Sequence, residues 1–178
     1  MNLKQIIKIT SKIVVVSFFL SFTSNTITKN LQQEIKYKNY LNQQFGFSVD
    51  YPYEILIPQG ESQNKDGQIF RSKKTPDNSL TVYRDYLDLT DTDTKFTLEV
   101  GYNKHVKTFS KKEAVRNVTY KKLDKNFFVL SGYKSNGDIY YQKSIMIDDV
   151  LCTCLLEYKV TDKVLFNKIS ERVFKSFK

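Results

Sequence analysis

Residues 118–158 of this chain spell VTYKKLDKNFFVLSGYKSNGDIYYQKSIMIDDVLCTCLLEY. Runs rich in β-branched and aromatic residues alternate here with short polar segments that contain Asp, Asn and Gly. The strand-like runs are Val118–Leu123, Phe127–Tyr133, Ile139–Ile147 and Val150–Tyr158. Connections this short permit only antiparallel pairing between neighbours. The last run is apolar on one face and partly apolar on the other, so we expect a central strand that is covered on both sides.

Three further strands are predicted nearer the N-terminus: Phe45–Tyr51, Gln68–Ser72 and Leu80–Tyr86. Apolar and polar residues alternate in the first of them, as in a half-buried strand. The other two flank a Pro-Asp-Asn turn and are expected to form a hairpin. The residues between Pro58 and Gly67 are polar and predict a loop. Residues 85–107 stay unassigned, because their pattern fits an irregular strand and a helical turn equally well.

Two helices are expected to pack on the sheet. Ser110 followed by Glu113 is a capping-box pattern and predicts a short helix over Lys111–Asn117. Thr161 and Asp162 suit the start of a C-terminal helix. Apolar residues recur every four positions along that helix and predict its buried stripe: Leu165, Ile169, Val173 and Phe177. The predicted fold class is therefore α+β, an antiparallel sheet with helices packed on it.

The first residues of the sequence indicate export. They carry positive charges and no acidic residue: Lys4, Lys8 and Lys12. The apolar stretch Ile13–Phe22 follows and is closed by small polar residues, which is typical of a signal peptide. It is about ten residues long, against roughly 20 for a spanning helix. We therefore expect cleavage between Ser21 and Thr28, with an uncleaved anchor or a buried core segment as the alternatives.

Removal of the signal leaves about 150 residues, enough for one domain with its own hydrophobic core. The predicted organisation is a signal peptide over residues 1–24, a linker or irregular segment over 25–39 and one domain over 40–178. The net charge of +9 falls by three with the signal lysines, and the chain has few arginines: Arg71, Arg84, Arg116 and Arg172. An exported chain poor in arginine is not expected to bind nucleic acid. Its lysines either cover a solvated surface or form a basic face that contacts an anionic membrane surface or polysaccharide.

Cys152 and Cys154 stand two residues apart in the last predicted strand, so alternation places both thiols on one face. A disulfide between such positions would be strained, because residues i and i+2 of a strand lie at or beyond the limit for a bridge. Two buried free thiols are the expected state. A redox pair or a metal site are the alternatives, and either would need further groups, of which His105 is the single histidine.

Several segments resemble small exported bacterial proteins with a PsbP-like domain. They are YLNQQFGFSVDYP at 40–52, the loop 64–67 before Phe70, Leu130-Ser-Gly132 ahead of Ile139-Tyr-Tyr141, and the terminal Ser176-Phe177. The resemblance spans residues 40–178 and implies an α/β/α sandwich around an antiparallel sheet. Proteins of this fold serve as photosystem II extrinsic subunits, nuclear-transport factors and envelope proteins, so it implies a fold rather than an activity. The bacterial type of signal favours the envelope group.

Two groups of polar residues are candidate ligand sites. Asn64, Asp66 and Gly67 occupy the third, fifth and sixth positions of a calcium-type loop, but Lys73 stands where a closing carboxylate is needed, so a turn explains them better. Three aspartates lie close together and either gather a hard cation or form a solvated acidic loop: Asp88, Asp91 and Asp93. We expect no metal and no cofactor.

The aromatic residues Phe70, Tyr133, Tyr140 and Tyr141 either line a binding face for a sugar, peptide or protein or pack across strands. With Asn64, Asp66 and Gly67 they form the predicted set of binding residues. The sequence thus predicts a monomeric, non-catalytic binding or accessory domain, periplasmic or secreted, whose partner is a protein or an envelope component. The alternative is a hydrolase or metal-assisted enzyme that uses the loop aspartates and His105.

Overall fold

The computed structural model describes residues 34–86, 97–111 and 115–178. The predicted signal peptide and the three aspartates of the acidic loop lie outside these residues. The strands are β1 (Lys38–Leu41), β2 (Ser48–Tyr51), β3 (Leu56–Glu61), β4 (Gly67–Ser72), β5 (Ser79–Arg84), β6 (Arg116–Leu123), β7 (Phe127–Lys134), β8 (Ile139–Ile147) and β9 (Val150–Tyr158). The helices are α1 (Leu98–Phe109) and α2 (Lys163–Ser176), and a short 3₁₀ turn, Val160–Asp162, precedes α2.

The strands form a two-stranded hairpin, β1–β2, and a seven-stranded sheet in the order β3-β4-β5-β9-β8-β7-β6. Every pair is antiparallel. The predicted β4–β5 hairpin and the four-stranded meander β6–β9 are both confirmed. β9 lies between β5 and β8, which explains its two apolar faces.

Two strand predictions need correction. The predicted strand Phe45–Tyr51 begins only at Ser48, because Gly46 has φ +76° in the turn that follows β1. Gln59, Gly60 and Glu61, predicted to be loop, belong to the edge strand β3. A register shift between Pro58 and Glu61 and a left-handed Gly60 make this edge irregular, and an edge strand tolerates both proline and such a bulge.

The helix predicted over Lys111–Asn117 is not found at the described residues of that range, and residues 112–114 lie outside the described ranges. The helix α1 lies upstream, where Thr97 is the N-cap and its hydroxyl accepts a hydrogen bond from Val100 N at 3.2 Å. Ser110 caps the C-terminal end of α1 instead of starting a new helix. Asn117 is already part of β6.

The C-terminal helix is confirmed, with a different buried stripe. Phe166, Ile169 and Val173 are buried, whereas Leu165 is 39% exposed. Residues four positions apart do not stay on one side of a helix with 3.6 residues per turn. The buried face therefore begins at Phe166, one residue after the predicted Leu165. Phe177 is buried just beyond the helix. The Asp162 side chain does not cap α2; it accepts a hydrogen bond from the Asn78 amide at 2.6 Å.

The two faces of the large sheet are covered by different elements. Apolar residues of α1 pack on one face, against β7, β8 and β9: Leu98, Tyr102, Val106 and Phe109. On the other face α2 stacks Phe166 on Tyr158, with ring centroids 5.2 Å apart, and the β1–β2 hairpin packs Phe47 against Phe177 at 6.4 Å. The predicted α/β/α sandwich is therefore confirmed. Within the described ranges, neither helix has the length and apolarity to cross a membrane.

The β1–β2 hairpin is tied to the end of α2 by polar contacts. Ser48 and Lys178 exchange both backbone hydrogen bonds, at 2.8 and 3.2 Å. Asp50 N donates to Ser176 Oγ at 2.9 Å, and the Asp50 carboxylate pairs with Arg172 at 2.9 Å. Residues 36–178 form one compact unit as a result.

Both cysteines are free and buried, as predicted. Burial raises the pKa of the Cys152 thiol to about 12, and it also raises the pKa of Cys154. The thiolate is the reactive form of cysteine, so both groups are held in their unreactive form at neutral pH.

We expect that iodoacetamide alkylates neither thiol in the native protein near pH 8, where an unperturbed cysteine with a pKa of about 8.5 reacts readily. Both should react once urea unfolds the chain, because unfolding removes the burial that suppresses the thiolate. Mass spectrometry of the alkylated chain measures this directly. A Cys152→Ser/Cys154→Ser variant serves as the blank, and alkylation of the native protein at the rate of the unfolded one would contradict the expectation.

Candidate functional site

A cluster of tyrosines lies on the outer part of the sheet, on the face that carries α2. Tyr120 of β6 pairs with Ser131 of β7, and Ser131 pairs with Tyr141 of β8. Directly paired residues of antiparallel strands point to the same side, so these three share a face. Tyr133 lies two residues beyond Ser131 on that same side. We call Tyr120, Tyr133 and Tyr141 the tyrosine face.

The tyrosine face is anchored at one side and open at the other. Tyr141 packs on Phe174 of α2, with ring centroids 4.7 Å apart, and its partial burial raises the pKa of its hydroxyl. Tyr120 is 50% exposed and Tyr133 is 42% exposed. Two large aromatic side chains therefore present both rings and hydroxyl groups to solvent beside a fixed third ring, a composition enriched in protein interfaces.

Strand β6, which carries Tyr120, is an edge of the sheet. Among the described residues it pairs with β7 alone, and a register shift between Val118 and Tyr120 bends it. An edge strand offers unpaired backbone N–H and C=O groups to a further strand. Most of β6 is exposed, and of its three cations Arg116 pairs with Glu157 and Lys122 with Asp124, which leaves Lys121 without an ion pair among the described residues. The tyrosine face thus lies beside a strand edge that no other described strand covers.

The structure brings together only part of the predicted aromatic set. Tyr133 and Tyr141 belong to the tyrosine face, whereas Tyr140 points to the opposite side and is buried under α1. Burial raises the Tyr140 pKa to about 12, and its hydroxyl has no hydrogen-bond partner among the described residues. Phe70 is buried against Tyr51, with ring centroids 4.4 Å apart, in the other half of the sheet. Tyr140 and Phe70 therefore offer no surface to a partner in this structure.

The predicted polar residues lie in the turn between β3 and β4, far from the tyrosine face in strand order. The Asp66 carboxylate accepts hydrogen bonds from the Ser62 hydroxyl and from the Asn64 amide. Gly67 begins β4, where a Cβ would strike the backbone of Val82. The interpretation as a turn is confirmed for Asn64 and Asp66, whose side chains are hydrogen-bonded to each other, and Gly67 follows the turn as the first residue of β4.

His105 belongs to a closed ring of buried polar side chains beneath α1. Its Nε2 lies 3.0 Å from Asp85 Oδ2, and that oxygen also accepts from the Thr153 hydroxyl at 3.1 Å. Ser144 Oγ lies 2.7 Å from Thr153 Oγ1 and accepts from Gln142 Nε2 at 3.1 Å. The Gln142 amide closes the ring at His105 Nδ1, 3.4 Å away. We call these five residues the polar ring.

The hydrogen bonds of the polar ring assign the histidine tautomer. Because the Gln142 amide donates to Nδ1, that nitrogen is an acceptor and the proton resides on Nε2, which donates to Asp85. Both ring nitrogens are therefore in use. Ser144 is bonded to Gln142 and Thr153 rather than to His105, and it is fully buried, so these residues do not form a nucleophile and base pair. The polar ring fixes α1 to the sheet.

The sequence analysis did not identify one residue of the tyrosine face and four of the polar ring: Tyr120, Asp85, Gln142, Ser144 and Thr153. A signal for the polar ring is nevertheless present, since polar residues at inward positions of strands buried on both faces must pair with one another. Across the described segments, no three His, Cys, Asp or Glu side chains are grouped closely enough to hold a metal ion.

The described residues thus form an α/β/α sandwich with an aromatic surface beside its β6 edge. The solution structure of the cyanobacterial PsbP protein CyanoP from Synechocystis sp. PCC 6803 is similar to it, with a TM-score of 0.55 and 16% sequence identity. The similarity covers 83% of this chain and 95% of that chain. The fold is therefore PsbP-like, as the sequence resemblance implied, and identity this low carries no activity with it. No family model matches the sequence, and no curated protein matches it.

Proposed function

We propose that this chain is an exported, non-catalytic binding domain of the bacterial envelope that holds a protein partner on the tyrosine face. The observation that carries the proposal is the pairing of two exposed tyrosines, Tyr120 and Tyr133, with an open strand edge. Tyrosine gives a large contact area at a low cost in side-chain entropy, which makes it a frequent anchor of protein interfaces.

The chemistry of β6 supports an extended, acidic segment as the bound part of the partner. A segment that adds to the β6 edge gains backbone hydrogen bonds, and its alternate side chains lie next to Tyr120, on the sheet face that also carries Tyr133. Lys121 lies on the same strand and favours a carboxylate on the partner, whereas Lys122 is paired with Asp124 at 2.9 Å.

Export is supported by the first residues of the sequence. Their lysines and the apolar stretch Ile13–Phe22 have the order and length of a cleaved signal. A PsbP-like domain that acts by binding needs no reactive group, and the buried, fully bonded His105 is consistent with that role.

The proposal is tested with a photoreactive benzoylphenylalanine at Tyr133 of the full chain, in the cell that produces it. Illumination should yield one defined protein adduct, which the same residue placed at Val164 should not yield, since Val164 is 79% exposed on a different element. Tyr120→Ser should lower the adduct yield about tenfold, the effect of losing one aromatic anchor. Mass spectrometry of the adduct also identifies its first residue, expected between residues 21 and 28.

Val160→Ser is the matched control, because it removes an exposed apolar side chain next to α2 and should leave the adduct intact. Equal adduct yields from positions 133 and 164, or a yield unaffected by Tyr120→Ser, would exclude the tyrosine face as the binding surface. An adduct that retains Met1 would exclude cleaved export.

A further inference from the structure

The side chain of Arg84, at the end of β5, lies over two aromatic rings. Its Cζ atom is 4.9 Å from the ring centroid of Phe45, in the turn after β1, and 4.5 Å from that of Tyr86. Tyr86 is 58% exposed, and Arg84 and Phe45 are half-buried. Aromatic faces attract a cation through their quadrupole and hold it in place, but they leave its N–H groups without oxygen acceptors.

Arg84 differs from the other arginines in its hydrogen bonding. The other three arginines each donate to an oxygen atom of the chain: Arg71 to Pro76, Arg116 to Glu157 and Arg172 to Asp50. The Arg84 guanidinium has five N–H donors. In the part of the chain that the structure describes, none of them makes a hydrogen bond, and no carboxylate forms an ion pair with the group.

Two described aspartates near Arg84, Asp85 and Asp66, use their carboxylates elsewhere. Asp85 points into the polar ring and accepts from His105 and Thr153. Asp66, whose backbone oxygen accepts from Arg84 N at 2.8 Å, uses its carboxylate within its own turn. Aromatic rings thus hold the guanidinium in place, and its N–H groups have no acceptor among residues 34–86, 97–111 and 115–178.

We propose that Arg84 binds the oxyanion group, a carboxylate or a phosphate, of an external ligand. A guanidinium matches both groups because its planar fork makes two parallel charge-assisted hydrogen bonds. Phe45 and Tyr86 restrict the side chain before the ligand arrives, which lowers the entropy lost on binding. The site lies on β5 and the turns beside it, whereas the tyrosine face lies on β6 to β8, so the two are independent.

Nitrogen-15 NMR of the exported chain tests this site through the Nε–H signals of its arginines. Sodium acetate and inorganic phosphate, added at constant ionic strength, should each shift the Arg84 signal in a saturable way and leave the Arg71 signal nearly unchanged. The anion affinity of the variants is measured from backbone amide signals near the site. Arg84→Lys should weaken this affinity about tenfold, because lysine lacks the planar guanidinium that makes two parallel hydrogen bonds. Tyr86→Leu should weaken it about threefold, the effect of one exposed cation–π contact. Arg71→Lys is the matched control and should change nothing.

Vesicles distinguish a lipid headgroup from a free ligand as the source of the anion. If phosphatidylglycerol vesicles bind the chain, phosphatidylcholine vesicles do not, and Arg84→Lys abolishes the binding, the ligand is an anionic lipid. If only acetate and phosphate bind, the ligand is a small molecule or a peptide carboxylate. An Arg84 signal that neither anion moves would refute the proposal. The variant Asp88→Asn/Asp91→Asn/Asp93→Asn tests whether the chain supplies its own carboxylate to Arg84. The proposal would also be refuted if these substitutions shifted the Arg84 signal while added acetate and phosphate did not.

Discussion

Replacing His105 with leucine is expected to lower the free energy of unfolding by about 3 kcal/mol, the upper end of the cost of removing one hydrogen-bond partner from a buried group, because the group left behind is a carboxylate. The His105 and Asp85 side chains are each only 10% exposed and lie 3.0 Å apart. Leucine fills a similar volume between Phe109 and Phe128, so the loss comes from the Asp85 carboxylate, which stays buried with Thr153 as its remaining donor. Urea unfolding followed by circular dichroism measures the change.

The double variant Asp85→Asn/His105→Leu shows how much of the lost stability comes from the Asp85 charge and how much from changed packing. It removes the carboxylate, and the amide oxygen still accepts from Thr153, so it should be more stable than His105→Leu alone. Glu54→Gln is the control for an exposed pair, because Glu54 lies 3.5 Å from Lys36 at the surface and should show little change. A double variant no more stable than the single one would mean that the buried charge is not what His105 stabilises.

Replacing Gly132 with alanine is expected to cost at least about 3 kcal/mol, at the upper end of the range for overpacking. A Cβ at this position of β7 would overlap the backbone oxygen of Asn117 and lie 3.0 Å from Thr119 N, both on β6. Backbone atoms of a paired strand cannot turn aside as a flexible side chain can, so β6 must shift. Urea unfolding gives the cost, and the backbone amide signals of β6 show whether that strand has moved.

Gly137→Ala is the matched control for this prediction. Gly137 has φ +84° in the β7–β8 turn, and a Cβ there meets nothing within 4 Å. Its substitution should cost about 1 kcal/mol through backbone strain alone. If the two alanine variants were equally stable, the contact between β6 and β7 would not be the reason for glycine at position 132.

The meander β6–β9 and the β4–β5 hairpin follow from local sequence signals, whereas β3 and α1 depend on contacts with their neighbours in the fold. β8 and β9 begin and end where predicted, because the Asp148-Asp149 pair leaves two residues between long apolar runs. β3 could not be foreseen in the same way, since Pro58 and its polar successors gain their strand conformation by pairing with β4. Propensity favours a loop there, and the tertiary pairing overrides it.

Helix α1 was missed for a related reason. Its inward face includes His105 and Gly101, which do not look apolar in a sequence, and His105 is buried because residues from β5, β8 and β9 complete its hydrogen bonds. Thr97 before Glu99 was the available start signal. The tyrosine face was half predicted, because Tyr133 and Tyr141 were identified while the register that adds Tyr120 depends on a bulge in β6.

The attachment of the β1–β2 hairpin to residues 172–178 has a consequence for biosynthesis. Ser48 and Asp50 find their partners about 125 positions later, at Lys178, Arg172 and Ser176. β5 likewise pairs with β9, so strands β3–β5 cannot join the rest of the large sheet until β9 has been synthesised. A ribosome adds roughly 5–20 residues per second, so for several seconds the nascent polypeptide has no complete tertiary structure. That delay is compatible with the proposed export, because a polypeptide passes through a translocation channel before it folds.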